Sequence, residues 1–412
     1  MKFIIDDEVV LSHPPEGPLA MHITVFAKWV SEQGYARRSR YRQVLLAACF
    51  SRWLGQQGVS VRRVSSEHQS RYLRSRARHV QIHCGDAAAL RQFTDFLRRQ
   101  GVVPTDKIPP RRLIPAEQIV HTFKRYLRNE RMLKEATVVN YVPSVRGFLA
   151  DRFGDGPVML SRLRGADVMR FVRRQAPRLH LKRAKLLTVA LRSFLHYARY
   201  RGDIALDLAS AVPTVASWSM TSIPRAIPAD AARQLLASIN RRTAMGRRDY
   251  AILLLLARLG LRADEVVRLE LEDIDWNVGS LSIQGKGDQR SVLPLPADVG
   301  SAIAAYLRRA RPRSNCRRVF LRTKAPIRGF LGQRAVGSLV RNTLAHAGIK
   351  APSQGAHQFR HALATEMLRH GASLTEIGEV LRHRSPQTTM IYTKVDLESL
   401  RALALPWPGG VR

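Results

Sequence analysis

Cysteine is nearly absent from this sequence, and so are the features that direct a chain out of the cytosol. Cys49, Cys84 and Cys316 are widely spaced and form no CxxC pair, so neither a disulfide framework nor a zinc site is expected. No apolar run is long enough to cross a bilayer, and the segment MKFIIDDEVV turns acidic where a signal peptide has its apolar core. We therefore predict a cytoplasmic protein without a membrane partner.

Acidic residues are also scarce, and this scarcity indicates the partner. The chain has 32 Asp and Glu against 68 Lys and Arg, which gives a formal net charge of +36. An imbalance of this size predicts a polyanionic partner, and we favour nucleic acid. An anionic membrane surface is the alternative, but no basic amphipathic helix at a terminus supports it. Most of the basic residues are arginines, so a well-placed lysine is more informative.

The length and apolar content are sufficient for two or three domains with buried cores, since 45% of the 412 residues are hydrophobic. Two proline-marked stretches, 102–115 and 212–228, lack helical periodicity and are predicted linkers. They predict an extra N-terminal helical domain at 1–110, a second helical domain with its linker at 111–222, and a C-terminal domain with a tail at 223–412.

The first two parts resemble copies of one helical unit. LRQFTDFLR begins at Leu90 and is followed by Gly101, while LRSFLHYAR begins at Leu191 and is followed by Gly202 at the same spacing. Both parts have apolar residues at helical spacing, which predicts two small helical bundles. The alternative is that two unrelated bundles share this pattern by chance. We expect the first copy to add DNA contacts through its arginines, namely Arg37, Arg38, Arg40, Arg42, Arg62 and Arg63.

The C-terminal part is predicted to combine helices with one β-hairpin. Pro228 marks a helix start, and the apolar run YAILLLLA from Tyr250 predicts a buried helix. Two short strands are predicted at 281–283 and 291–293, joined by the turn QGKGD. The pattern from Val299 to Leu405 is mainly helical.

Arg262 and Glu265 form the first polar feature of this part. Gly260 marks a turn after the apolar helix, so Arg262 is expected at a rigid position on the domain surface. Its guanidinium is suited to bind two phosphate oxygens, and Glu265 lies within helical reach to brace it. Taken alone, an ordinary ion pair is the better explanation.

Lys286 forms the second feature, at the tip of the hairpin between two glycines. A lysine on such a tip is able to reach a DNA strand and to donate a proton to an alkoxide leaving group. A solvated turn lysine is the alternative. The turn is not a phosphate-binding P-loop, because GxxxxGK[ST] is absent.

The remaining features are His357 with Arg360, then His383, then Tyr392. His357 and Arg360 share one face of a predicted helix, which pairs a proton carrier with a fixed cation. His383 precedes the Ser385-Pro386 break, and Tyr392 follows on a further helical stretch. Individually, each is more simply explained as a surface or core residue.

Together, these residues match the requirements of phosphodiester transesterification. Arginine and histidine donors stabilise the extra negative charge of a pentacovalent phosphorane, and Tyr392 is the strong nucleophile of the group. The phenol must lose a proton and the leaving 5′ oxygen must gain one. No carboxylate cluster suited to two-metal chemistry is evident.

The pattern resembles the tyrosine recombinases of the phage integrase type over residues 115–396. GLRADEV is similar to the first Arg box of that family, and GKGDQRSVLPLP to its β-hairpin Lys box. HQFRHALATEML is similar to the His-x-x-Arg box, and LRHRSPQTTMIYTKVD to the final His and Tyr box. The resemblance assigns catalytic roles to Arg262, Lys286, His357, Arg360, His383 and the nucleophile Tyr392, with Glu265 in support. Two positions depart from the pattern: Arg382 replaces a common glycine, and Lys394 a common histidine.

The resemblance also implies the fold and the reaction. The fold would be mainly α with a small β-hairpin: a SAM-like core-binding bundle and a mixed α+β catalytic domain, forming a C-shaped clamp on double-stranded DNA. Tyr392 would form a 3′-phosphotyrosine, and a homotetramer would exchange strands through a Holliday junction without any cofactor or metal. Partner recombinases or directionality factors would act together with the tetramer. The tail at 397–405 would pack on its own domain or on a neighbouring subunit.

Two alternatives remain from the residues. A type IB topoisomerase uses a similar site to relax supercoils, and a DNA-binding regulator would lack cleavage. Neither the target sequence nor the setting, whether phage, transposon, cassette or replicon resolution, follows from the sequence.

Overall fold

A computed structural model describes residues 3–6, 9–105, 114–216, 223–285 and 290–395. Within these residues the chain is mostly helical, with one two-stranded and one three-stranded antiparallel sheet. None of the described helices has both the length and the apolarity that crossing a bilayer requires.

The N-terminal part is a hairpin on a four-helix bundle. Its elements are β1 (Phe3–Asp6), β2 (Val9–Leu11), α1 (Ile23–Glu32), α2 (Arg37–Gln56), α3 (Ser66–Ala77) and α4 (Asp86–Arg99). Phe26, Phe50 and Phe93 are fully buried and form the centre of its core. Helix α4 ends at Arg99, and Gly101 follows with a φ of +70°, the left-handed conformation that glycine adopts just after helix C-termini.

The middle part is a second bundle of four helices. They are α5 (Pro115–Asn129), α6 (Glu135–Phe153), α7 (Gly165–Gln175) and α8 (Leu181–Tyr200). Pro115 begins α5, where the missing N–H costs no hydrogen bond. Phe123, Phe148 and Phe194 are buried at the centre of this core.

The two bundles repeat the same aromatic contacts. In the first, the ring centroids of Phe26 and Phe93 lie 4.7 Å apart, and those of Trp53 and Tyr72 lie 5.7 Å apart. In the second, the corresponding pairs are Phe123 with Phe194 at 5.4 Å and Phe148 with Phe171 at 5.3 Å. These contacts support the duplication, which stays a prediction.

The C-terminal part surrounds one long buried helix. Its elements are α9 (Ala229–Ala237), α10 (Ala244–Arg258), α11 (Ala263–Arg268), β3 (Ile274–Asp275), β4 (Ser280–Gln284), β5 (Arg290–Pro294), α12 (Ala297–Arg309), α13 (Arg334–His346), α14 (His357–Arg369), α15 (Leu374–Val380) and α16 (Pro386–Thr389). A 3-10 helix from Met390 to Val395 follows directly. Residues 251–256 of α10 are all buried, so this helix is the centre of the core.

The predicted hairpin is confirmed, and the sheet gains a strand. β4 pairs with β5 in antiparallel register, with Leu281 opposite Leu293. β3 pairs with the other edge of β4 and was not expected from the sequence. Leu281 and Ile283 face the core and alternate with less buried residues, as expected for a half-buried strand.

Contacts divide the chain into two compact units, 1–106 with 222–412 and 107–221. Within the first unit, the turn between α1 and α2 meets the loop before α13: the Ile327 N–H donates to the Gln33 carbonyl at 2.9 Å. Gly34 has a φ of +75°, and a Cβ there would lie 2.5 Å from Ile327 Cγ1, so a larger residue would be strained and would displace the isoleucine. The hydrophobic cores of 1–110 and 223–412 are nevertheless separate. The division into three domains stays a prediction.

Candidate active site

Gly260 shapes the turn that positions Arg262. Its φ of +56° is the left-handed conformation that ends α10 and starts the approach to α11. A Cβ there would lie 2.9 Å from Leu381 Cδ2 and 3.0 Å from Leu363 Cδ2. The missing side chain therefore lets this turn pack against the segment that carries His383.

Arg262 is braced by Glu265, as the sequence indicated. Glu265 Oε2 accepts the Arg262 backbone N–H, and Glu265 Oε1 accepts Arg262 Nη1, both at 2.8 Å. Glu265 is buried, whereas the Arg262 side chain is 36% exposed. One side of this guanidinium is therefore fixed and the other is open to a ligand.

Arg382 is the second arginine on Glu265. Its Nη2 donates to Glu265 Oε2 at 2.9 Å, and its carbonyl accepts Arg262 Nη2 at 3.4 Å. Its φ is +55°, a conformation that non-glycine residues rarely adopt. The departure at this position thus adds a cation and keeps the glycine-like backbone. Burial lowers the pKa of Arg382, and Glu265 opposes this effect.

Arg360 is buried at the centre of the site, with 1% of its surface exposed. Its Nη1 donates to the Gly260 carbonyl at 2.7 Å, and its Nη2 donates to the Leu381 carbonyl. It therefore joins the turn before Arg262 to the segment before His383. Burial, together with the nearby charges of Arg262 and Arg382, lowers the pKa of Arg360 to about 9, so it remains a cation at neutral pH.

His383 lies beside the predicted nucleophile. Its Nδ1 is 2.8 Å from Thr389 Oγ1, and its ring is parallel to that of Tyr392 with centroids 6.5 Å apart. Burial, followed by the charge of Arg360, lowers the pKa of His383 to about 4. The ring is therefore neutral at neutral pH.

Tyr392 lies in the 3-10 helix that follows α16 and not in a continuous α-helix. It is 1% exposed, and burial raises the pKa of its phenol to about 12. Its hydroxyl is 3.0 Å from Nδ1 of His361, which the sequence analysis did not single out. The available signal was position: His361 lies one turn after His357 on the predicted helix.

His357 begins α14 and is exposed. It lines a cavity of about 640 Å³ together with Arg262 and, on α13, Arg334 and Arg341. This cavity is open and basic, so it is suited to a segment of phosphate backbone. The structure brings Arg262, Glu265, Arg360, His383 and Tyr392 together, and places His357 beside them.

Lys286 lies outside the described residues, although both strands that lead to it are described. The tail at 397–405 also lies outside them. Within the described ranges, no group of three or more His, Cys, Asp or Glu is placed to hold a metal ion.

Comparison with known proteins matches this part of the chain to one family. Residues 225–399 match the model described as the phage integrase family. The putative integrase/recombinase y4rA of Sinorhizobium fredii is 55% identical over 99% of both chains. The tyrosine recombinase XerC of Azotobacter vinelandii is 30% identical over 68% of this chain and 92% of its own length.

The fold is shared with a solved recombinase. XerH bound to palindromic difH substrate, in a post-cleavage complex, matches with a TM-score of 0.54 at 19% identity and covers 72% of this chain and 98% of the XerH chain. The predicted fold class, mainly α with small sheets and a recombinase-type catalytic domain, is confirmed. On the boxes, the fold and these relatives, the chain belongs to the phage integrase family of tyrosine recombinases, which are site-specific DNA recombinases.

Proposed function

We propose that this chain cleaves and rejoins double-stranded DNA at a specific site through a 3′-phosphotyrosine on Tyr392. The observation that carries the proposal is the convergence of Arg262 and Arg360 on one short segment. Their guanidiniums hydrogen-bond the carbonyls of Arg382 and Leu381, directly before His383. The ring of Tyr392 lies parallel to that of His383.

The charges of the site favour a phosphate that gains negative charge. Arg262, Arg360 and Arg382 surround a single carboxylate, that of Glu265. Two of the three positive charges are therefore uncompensated within this group. A scissile phosphodiester would supply one negative charge in the ground state and a second in the phosphorane, so the group stabilises the transition state more than the bound substrate.

The proton balance requires an acid for the leaving 5′ oxygen, and we assign this role to Lys286. His357, exposed at the start of α14, would donate a hydrogen bond to a phosphate oxygen beside Arg262. His383 would act as a neutral donor through Nε2, with its Nδ1 accepting the hydroxyl hydrogen of Thr389.

The assembly belongs to the same proposal. XerH, a site-specific recombinase that shares the fold, is bound to its difH substrate in that structure. We propose that the bundle at 111–222 and the part at 223–412 clamp the duplex, and that four subunits exchange strands through a Holliday junction. Partner recombinases or directionality factors would set the outcome.

A suicide substrate tests cleavage directly. A nick close to the cleavage position makes the fragment that carries the new 5′ hydroxyl short enough to diffuse away. Rejoining then has no nucleophile, so the phosphotyrosine accumulates and survives denaturation. Substituting Tyr392→Phe should abolish the adduct and leave specific binding within about twofold, because only the nucleophilic oxygen is removed. The matched control is Tyr200→Phe, which removes an exposed phenol from α8.

Two outcomes would contradict the proposal. Specific binding without any adduct by the unchanged chain would favour a regulator. Relaxation of supercoils by isolated monomers, without strand exchange between two sites, would favour a topoisomerase.

A further inference from the structure

The phenol of Tyr392 contacts a histidine, His361, to which the proposed reaction assigns no role. His361 Nδ1 is 3.0 Å from the Tyr392 hydroxyl, within hydrogen-bond distance. The two rings are inclined at 64° with centroids 5.7 Å apart, so the imidazole nitrogen points to the hydroxyl and the rings do not stack. This contact offers a direct path for the proton that the nucleophile must lose.

We propose that His361 is a catalytic residue that accepts the phenol proton of Tyr392 when this oxygen attacks the scissile phosphate. The inference rests on the proposed function, because it assigns a base to the cleavage step. His361 is not among the residues to which the four sequence boxes assign a catalytic role.

The fold holds His361 in place from two sides. It lies in the first turns of α14, directly after Arg360, whose guanidinium is fixed by the carbonyls of Gly260 and Leu381. The ring of His357, one turn earlier, meets it edge-on with centroids 4.5 Å apart. The imidazole therefore has little freedom to turn away from Tyr392.

The protonation states have the direction that the step needs. Burial, then the charges of His357 and Arg360, lowers the pKa of His361 to about 4, so its ring is neutral and Nδ1 offers a lone pair. Burial raises the pKa of Tyr392 to about 12, so the phenol keeps its proton in the absence of DNA. The hydroxyl donates and the imidazole accepts.

These two pKa values lie far apart, so transfer is strongly unfavourable without substrate, and DNA must reduce the difference. The charged and titratable groups around His361 are His357, Arg360, His383 and Tyr392. A phosphate bound beside Arg360 offsets the positive charge that depresses the pKa of His361. The phenol becomes more acidic as its oxygen bonds to phosphorus. Proton transfer is therefore coupled to attack, and an idle site does not expose a phenolate.

The step balances without a further reactant. The Tyr392 oxygen forms a bond to phosphorus, the bond from phosphorus to the 5′ oxygen breaks, and the phenol proton passes to His361 Nδ1. The 5′ oxygen takes a proton from the acid assigned to Lys286. Rejoining runs in reverse: the incoming 5′ hydroxyl returns its proton to Lys286, and the imidazolium of His361 returns one to the departing phenol oxygen.

A variant that keeps the hydrogen bond but not the basicity tests this role. His361→Asn places an amide oxygen near the position of Nδ1, where it accepts a hydrogen bond but takes no proton. In the full-length chain, the single-turnover rate of adduct formation on nicked DNA should fall by about 10²- to 10⁴-fold. His370→Asn, at the exposed C-terminal end of the same helix, is the matched control and should keep the rate.

An acidified nucleophile separates a base from a structural residue. Incorporation of a polyfluorinated tyrosine at position 392 gives a phenol that loses its proton without help. It should restore most of the rate in His361→Asn, whereas a misplaced nucleophile would stay slow. If His361→Asn fails to fold by thermal melting, His361→Gln is measured in the same way.

The outcomes distinguish this inference from the proposed function. Absence of any adduct in the unchanged chain overturns the function itself. An adduct that forms in the unchanged chain and equally fast in His361→Asn overturns the base alone. A slow His361→Asn that the acidic phenol does not rescue also overturns it and indicates a positioning role.

Discussion

At the scale of single residues, Arg382 shows how this site differs from the family pattern. A glycine at this position would adopt the left-handed backbone without strain, but the arginine adopts it as well, with a φ of +55°. The ion pair of Arg382 with Glu265 offsets the strain of this backbone conformation, and Glu265 also pairs with Arg262. Arg382 is therefore a positioning residue that holds the carboxylate on which Arg262 depends.

Substituting Arg382→Gly should remove this pair and relieve the backbone. Loss of one partner of a buried pair costs about 3 kcal/mol, and relief of the left-handed conformation returns about 1 kcal/mol. We expect the free energy of unfolding to fall by about 2 kcal/mol in urea titrations, and adduct formation to slow by about tenfold.

Arg382→Asn is the matched control, because asparagine tolerates this backbone conformation but lacks the cation. It should lose activity as Arg382→Gly does. An Arg382→Gly chain that is as stable and as fast as the unchanged one would contradict the role of the ion pair.

The residue scale also shows the reach and the limit of the sequence. The contact between Arg262 and Glu265 follows from helical spacing, and the structure contains it. The contact between His361 and Tyr392 joins residues 31 positions apart on different helices. No periodicity relates them, so the sequence left His361 among 13 histidines. The catalytic roles themselves stay predictions.

At the scale of elements, the turn between α10 and α11 connects the fold to the site. Local signals predicted this turn: a strongly apolar run, then Gly260, then a polar helix start. They did not predict what the turn packs against. Leu381 and Leu363 close over the position where a Cβ would lie, and Leu381 also binds Arg360 through its carbonyl. The tightness of this contact arises from tertiary packing alone.

Two smaller elements differ from expectation for related reasons. β3 has two residues, too few for an alternating pattern to be recognised. The stretch after Pro386 carries helical signals but changes to a 3-10 helix at Met390, a common change where an α-helix ends.

Substituting Gly260→Ala should damage the site more than the fold. The left-handed backbone costs about 1 kcal/mol, and displacement of the two leucines adds about 1–3 kcal/mol to the loss in the free energy of unfolding. Because Leu381 would shift together with the carbonyl that Arg360 binds, adduct formation should slow by at least about tenfold.

Gly279→Ala provides the comparison. Gly279 has a φ of +66°, and its Cβ would meet nothing within 4 Å. It should show the backbone cost of about 1 kcal/mol and an unchanged adduct rate. Equal losses in the two variants would show that packing at Gly260 is unimportant.

At the scale of the whole molecule, the N-terminal bundle is the feature that the sequence explained least. The extra domain at 1–110 stays a prediction, and contacts place residues 1–106 in one compact unit with 222–412. The connection includes the close approach of Gly34 and Ile327, which carry no mutual signal in the sequence. Its internal packing was more predictable, because buried apolar residues at helical spacing specify a bundle wherever they occur.

The bundle also displays the arginines that led us to expect DNA contacts. Arg37 and Arg38 are exposed in the first turn of α2, and Arg62 and Arg63 are exposed in a 3-10 helix at 61–63. Arg40 is partly buried and donates to Ser31 Oγ at 2.6 Å, and Arg42 lies 3.7 Å from Asp86. The two exposed pairs are therefore the better candidates for phosphate contacts.

Neutralising these four arginines to glutamine in the full-length chain should weaken DNA binding in a salt-dependent way. Each lost phosphate contact lowers the slope of log K against log salt concentration by about 0.9, so the loss should approach about 3.6 if all four bind DNA. The matched control is Arg52→Gln with Arg98→Gln, since both arginines are paired with carboxylates in the bundle and should leave the slope within about 1. Titrations at several salt concentrations measure both slopes. An unchanged slope in the fourfold variant, with adduct formation intact, would assign the bundle to contacts between proteins, because its charge would then release no counterions from DNA.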